Sequence, residues 1–169
     1  MVNEMRKNVF EGKYITVSVE EVGGHKYERV TLRGGIRVLP VKDNKILFIK
    51  EYRQHEKQSR LKLIGGWMDK EGKASLEIAL EELREEASFS AKTWDLFYTY
   101  NTPNQTIEEH VDYFVASNLT QLSKQNNPDS DIVEEVVFLS KEEIENKLLK
   151  KEILWDKDMV VVMMYFLTN

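Results

Sequence analysis

Polar and apolar residues alternate along 14–21 (YITVSVEE) and again along 26–33 (KYERVTLR), with Gly23-Gly24 between them. Alternation of β-branched and aromatic residues around a glycine turn predicts a β-hairpin. Residues 35–41 (GIRVLPV) and 45–51 (KILFIKE) flank Asp43-Asn44 and predict a second hairpin. Pro40 has no N–H to give to a ladder, so it points to an edge or a bulge there. A short strand is expected at 60–64, and further strands at 93–100, 110–117 and 134–139. The pattern becomes helical at 74–87, 141–150 and about 156–167. Ser140, with Glu143 three residues on, forms a capping box for the second helix, and Asp156 caps the third. The run MVVVMMYFL in that last helix is apolar nearly all round, which predicts burial. Strands, one helix, more strands and two terminal helices make an α+β fold, with helices packed on a mixed sheet. Residues 119–131 (LTQLSKQNNPDSD) are polar and turn-rich and predict a surface loop.

Composition narrows the chemistry. A chain of 169 residues, 41% of them hydrophobic, suits one domain with its own core. The absence of cysteine removes disulfides, thiolate nucleophiles and Cys-ligated zinc. The 24 basic and 29 acidic side chains leave a net charge of −5, which argues against a nucleic-acid or anionic-membrane partner. No apolar run approaches the ~20 residues of a membrane span. The first residues, MVNEMRKNVFEGKY, lack the apolar core of a secretory signal. A soluble, cytoplasmic protein is expected.

The helix at 74–87 carries the chemistry. With Glu82 at zero and about 100° per residue, Leu76, Ala79, Leu80, Leu83 and Ala87 share one apolar face. Glu82, Glu85 and Glu86 form a carboxylate stripe beside it. Like charges at i, i+3 and i+4 cost a helix roughly 0.2–0.5 kcal/mol per pair. Such a stripe is either a solvated face or a site for a hard cation such as Mg²⁺, which takes carboxylate oxygens and bridges to phosphate.

The stretch LIGGWMDKEGKASLEIALEELREEASFS, residues 63–90, resembles the Nudix box, G-x5-E-x7-R-E-U-x-E-E-x-G-U. Glu82, Leu83, the Glu85-Glu86 pair and Phe89 match the box, and Gly66 matches its opening glycine if one residue is inserted before Gly72. Three positions depart: Lys73 replaces Glu, Glu81 replaces Arg and Ser88 replaces Gly. The family's Glu and Arg pair structurally, so the exchanged charges of Lys73 and Glu81 are expected to attract. Serine is the poorer choice at position 88, where the family's glycine ends the helix. The flanking segments resemble the ADP-ribose pyrophosphatase branch of Nudix hydrolases over roughly residues 10–167. The blocks GIRVLPV, KILFIKEYRQ, KLIGG, YNTPNQTIEEHVDYFVA and the C-terminal helical pair carry that likeness. Lys62, Ile64 and Asn104 depart from it, which leaves the substrate open.

The resemblance implies a Nudix-like mixed sheet sandwiched by helices, with residues 1–34 as a β-hairpin extension that helps build a homodimer and 35–169 as the hydrolase domain. It implies hydrolysis of a nucleoside diphosphate linked to another moiety, ADP-ribose or a related nucleotide sugar first, with Mg²⁺ or Mn²⁺ as cofactor. Glu82, Glu85 and Glu86 are the candidate metal ligands, with the Gly65 carbonyl. Glu85, Glu109 and Glu108 are the candidate catalytic carboxylates. Glu108 and Glu109 also read simply as a polar loop end before a strand. Arg53 is a candidate phosphate clamp, since guanidinium matches phosphate bidentately, or a surface salt bridge. Gly66 and Trp67 are further substrate-binding positions; Trp67 offers a ring for a base or ribose, or a packing or dimer contact. Two other functions stay open: a nucleotide-binding sensor without turnover, and a nucleoside triphosphate pyrophosphohydrolase, which the extension at 10–33 disfavours.

Overall fold

A computed structural model of the chain describes residues 6–69, 72–102, 106–123, 133–153 and 156–169. Thirteen elements are described. Strands β1 (Lys7–Glu11), β2 (Ile15–Val22) and β3 (His25–Leu32) come first, then β4 (Gly35–Lys42), β5 (Lys45–Arg53) and β6 (Gln58–Lys62). Helix α1 (Ser75–Ala87) is followed by β7 (Phe89–Asn101), β8 (Ile107–Glu108), β9 (His110–Gln121) and β10 (Val133–Ser140). Helices α2 (Lys141–Leu149) and α3 (Lys157–Thr168) end the chain. The expected α+β class, with helices on a mixed sheet, is what forms.

Two sheets result. The first has the order β1-β2-β3-β8, and the second β10-β5-β4-β9-β7 with β6 on β5. The β4–β9 and β3–β8 pairs are parallel, and the others antiparallel. The larger sheet buries both faces. Ile46 and Phe48 of β5 join Leu39, Tyr113, Ile144, Leu148 and Val162 in one core beneath α2 and α3. Their neighbours Leu47 and Ile49 join Ile36, Val38, Ile78 and Leu83 beneath α1. This is the period-2 alternation of a strand covered on both sides.

Several expectations need revision. Strands β1 and β8 had no strong pattern of their own; each is short and lies on a neighbour's edge. β7 begins at Phe89, directly after α1, and β9 runs to Gln121, into the segment expected to be loop. Residues 124–131 of that segment lie outside the described residues. The expected strand at 60–64 ends at Lys62, with Ile64 bridging Val38 instead. Pro40 is not at an edge: β4 is a central strand. Its first half bonds to residues 64–66 and its end to β5, and Pro40 sits where the partner changes. A residue without an N–H fits that handover. Helix α3 buries Asp158, Met159, Val161 and Val162 but leaves Val160 and Leu167 54% and 76% exposed. It lies on one face of the sheet, so only one side of its apolar surface is covered.

Ser88 ends α1 at φ 57° and ψ 42°, with its N–H donating to the Arg84 carbonyl at 3.0 Å. This is the left-handed cap position that favours glycine. Ser88→Gly should therefore raise stability by about 0.5–1 kcal/mol, the left-handed strain removed less the entropy glycine adds to the unfolded chain. Denaturant unfolding of the two proteins checks it.

Candidate active site

The segment that follows β6 determines where everything else in the site sits. Ile36 N–H donates to the Gly66 carbonyl and Val38 N–H to the Ile64 carbonyl, each at 2.9 Å, so residues 64–66 are held along β4. A Cβ on Gly65 would lie 2.6 Å from the Ile36 carbonyl oxygen. A Cβ on Gly66 would collide with the Glu82 carboxylate. Gly65 lets the loop backbone lie against β4, and Gly66 lets it lie against α1, with no side chain between them.

That approach turns α1 away from the orientation its sequence predicts. Ile78, Ala79, Leu83 and Ala87 are buried, but Leu76 and Leu80 are 37% and 39% exposed. Glu82 and Glu86 instead stand in the middle of the inward face and are only partly exposed, while Glu85 is exposed. Polar contacts explain the turn. The Gly65 amide donates to Glu86 Oε2 at 3.0 Å, and Lys62 Nζ donates to Glu86 Oε1 at 3.0 Å. Burial pushes the Glu86 carboxyl above its usual range, with the Lys62 charge and the Gly65 amide opposing. Lys73 and Glu81 form the ion pair expected from their exchanged charges.

Around these carboxylates lies a cavity of about 680 Å³, a size suited to a small-molecule ligand. Glu82, Glu85 and Glu86 line it with Gly65, Gly66, Trp67 and Arg53, as the sequence suggested. Arg53 reaches it tethered, its Nε 3.2 Å from Glu51 Oε1. Trp67 packs on Tyr14, with ring centroids 5.3 Å apart and both rings partly open to solvent. Glu108 and Glu109 are placed elsewhere. Glu108 pairs with Arg6 and Thr31, at 2.8 and 2.7 Å, and these partners hold its carboxyl below the usual range. Glu109 forms an ion pair with Lys157 at the start of α3. Neither appears among the residues lining the cavity.

The sequence reading missed several lining residues. Glu51, the last residue of KILFIKE, is 2% exposed and lines the cavity. Its signal was the alternation itself, since Leu47, Ile49 and Glu51 share a strand face. Arg37 interrupts the apolar strand GIRVLPV, and Asp158 opens the apolar helix α3. Arg37 Nε donates to Asp158 Oδ2 at 2.9 Å, and Tyr113 Oη donates to Asp158 Oδ1 at 2.6 Å. Burial alone would lower the Arg37 pKa; the charge and hydrogen bond of Asp158 raise it instead. Burial, with Asp158 beside it, pushes the Tyr113 hydroxyl far up. Opposite charges set singly in two apolar segments were the available clue. Lys13 and Tyr14 bring the smaller sheet's N-terminal edge to the cavity too.

Among the described residues, no three carboxylate or imidazole side chains form a ready metal cage. The donor chemistry still suits a hard cation. The cavity is lined by eight carboxylates against five cationic side chains, and one oxygen of the buried Glu51 accepts no hydrogen bond and is met by the Lys62 ammonium at 2.5 Å.

A model of the NUDIX domain matches residues 31–161 of the chain. The chain is 28% identical over 166 residues to an ADP-ribose pyrophosphatase of Bacillus subtilis (strain 168), covering 95% of this chain and 89% of that protein. It is 23% identical over 165 residues to a methanol dehydrogenase activator of Bacillus methanolicus, covering 94% and 88%. Among solved structures, an ADP compounds hydrolase superposes with a TM-score of 0.69 at 20% identity, covering 96% of this chain and 93% of that one. A NUDIX hydrolase from Nitrosomonas europaea gives 0.65 at 15% identity, covering 80% and 89%.

The close approaches at Gly65 and Gly66 are testable. Gly65→Ala, whose Cβ would meet the Ile36 carbonyl, should destabilise the fold by about 1–3 kcal/mol, the usual cost of overpacking. Gly66→Ala should cost much less, because the Glu82 carboxylate is the end of a flexible side chain and can swing aside. Calorimetric melting of the three proteins measures both.

Proposed function

Because this chain belongs to the NUDIX family, we propose that it is a hydrolase that cleaves the diphosphate of a nucleoside diphosphate linked to another moiety, ADP-ribose or a related nucleotide sugar first. The observation that carries this reading is the convergence of Glu82, Glu85 and Glu86 with Arg53 and Arg37 on one cavity beside Gly65 and Gly66. Support for the substrate comes from the likeness, over nearly the whole chain, to a protein named for ADP-ribose cleavage.

Hydrolases of this family generally use a divalent metal such as Mg²⁺. Here Glu82 and Glu86, with the Gly65 carbonyl, would hold it. Bound there, the cation would screen the diphosphate and lower the pKa of an attacking water. The excess of carboxylates in the cavity makes such a countercharge necessary, since an anionic diphosphate would otherwise be repelled.

The chain's own residues do the rest. Arg53, tethered by Glu51, grips a phosphate through its planar donors. Trp67, backed by Tyr14, offers a ring face to the base or ribose. Glu85, exposed on the cavity wall, is the proposed general base. Glu109 could serve only after parting from Lys157, and Glu108 only after leaving its arginine and threonine partners. Water adds to one phosphorus, the anhydride P–O bond breaks, and the oxygen leaves on the other phosphate. The products are a nucleoside monophosphate and a sugar phosphate. A second reading, nucleotide binding without turnover, is favoured by one observation: the Lys62 ammonium already stands among the carboxylates.

We also propose a homodimer built through the smaller sheet. The register places Phe10, Ile15 and Ile107 on one face of it, where all three remain exposed, and burying such apolar surface is favourable.

With Mg²⁺ and a panel of nucleotide sugars, dinucleotides and triphosphates, ADP-ribose-like compounds should be cleaved to two monophosphates, with products resolved by chromatography. Glu86→Gln should lower kcat by roughly 10²-fold or more and also lower the melting temperature, since its amide can accept only one of the two hydrogen bonds that Lys62 and Gly65 give. Unchanged Mg²⁺-dependent turnover would remove the assignment, and tight binding with no cleavage of any compound would favour the second reading. Sedimentation should show a dimer at micromolar concentration, and removal of residues 1–33 should abolish dimer and activity together.

A further inference from the structure

Lys62 closes β6, and its ammonium stands between two carboxylates. It donates to Glu86 Oε1 at 3.0 Å and lies 2.5 Å from Glu51 Oε2. The contact with Glu51 is an ion pair without hydrogen-bond geometry, so that oxygen, on a side chain 2% exposed, accepts no hydrogen bond. The other Glu51 oxygen faces Arg53. Glu51 lines the cavity, so a cation that displaced the ammonium would meet at Oε2 a buried carboxylate oxygen with no hydrogen bond of its own. Glu86, on the same cavity, takes its remaining hydrogen bond from the Gly65 amide. Lys62 thus sits within the carboxylate set proposed to hold a metal.

We propose that Lys62 is a resident counter-cation that competes with a divalent metal for Glu51 and Glu86, so that metal enters by displacing it. The inference rests on the reading of Glu82 and Glu86 as metal-holding residues. The physical case has two sides. Without metal, three carboxylates on one helix face and a fourth on β5 would repel, and the ammonium offsets that repulsion. With metal, an ammonium so close to the ligand oxygens would oppose a second cation. Lysine suits the exchange, because its charge rides on a flexible stem with three rotatable donors. The Lys62 side chain is 24% exposed, so solvent is within reach when it swings away. Glu51 belongs to the metal's surroundings on this account, a role the box pattern on α1 does not contain.

The test uses the full chain without substrate and Mn²⁺ as the probe, with free Mn²⁺ read by electron paramagnetic resonance. Lys62→Met and Lys62→Gln remove the charge; glutamine can still donate to Glu86 and guards the fold. Both should bind Mn²⁺ at least about tenfold tighter than the parent, while Lys62→Arg stays within about threefold, because only the charge is at issue. If Lys62→Met folds only with Mn²⁺ present, the metal has taken the ammonium's place and the proposal stands. Affinities alike in parent and neutral variants, with binding lost in the double variant Glu82→Gln/Glu86→Gln, would overturn the role of Lys62 and leave the metal reading intact. Mn²⁺ affinity unaffected by that double variant would overturn both.

Discussion

The approach of helix α1 to the backbone of Gly65 and Gly66 is the constraint on which the rest of the site depends. Two hydrogen bonds from Ile36 and Val38 hold residues 64–66 along β4. With that backbone fixed and bare of side chains, Glu86 takes the Gly65 amide and Glu82 lies against Gly66. The helix then rotates about its own axis until its carboxylates face inward. Two leucines, Leu76 and Leu80, are left at the surface as a consequence. Polar contacts prevail over apolar burial because leaving a partly buried carboxylate without donors costs more than leaving a leucine half exposed.

Charge is compensated locally throughout the site. Glu51 meets Arg53 and Lys62, Glu86 meets Lys62, and Asp158 meets Arg37 and Tyr113. The Arg37–Asp158 pair ties the central strand β4 to the start of α3. Arg37 also lies against Gly65, which couples the last helix to the loop that orients α1. Such buried pairs add little net stability compared with apolar packing, but breaking one leaves a stranded charge, which makes the arrangement specific.

The smaller sheet is joined to the larger body by more than sequence continuity. β8, which follows β7, pairs with β3, and Arg6 bonds Glu108 across that sheet. Tyr14 packs on Trp67 beside the cavity. Lys13 and Tyr14, ahead of the stretch that matches the NUDIX domain, line the cavity. The same network draws Glu108 away from the carboxylates on α1.

Much of the architecture was legible in the sequence because periodicity reports burial directly. The hairpins, the α+β class and the capped starts of α2 and α3 follow from alternation, glycine turns and side-chain caps, all of which act within a few residues. The carboxylate stripe was legible for the same reason, since i, i+3 and i+4 share a helix face whatever the helix packs on. The pairing of Lys73, two residues before α1, with Glu81, two turns within it, followed from the exchange of charge at two positions that pair in the family the sequence resembles. The exact direction in which the stripe points was not legible: Ala79, Leu83 and Ala87 are buried as the apolar count expected, but the buried face is shifted away from Leu76 and Leu80 toward Ile78, which brings Glu82 and Glu86 inward. Pro40 looked like an edge marker because a lone strand cannot reveal that its partner changes halfway along. Glu51 and Lys62 lie on different strands, and Arg37 and Asp158 are more than a hundred residues apart. A sequence holds each charge but not its neighbour, because electrostatic pairing depends on distance in space, and that distance was decided by the packing of the sheet against its helices.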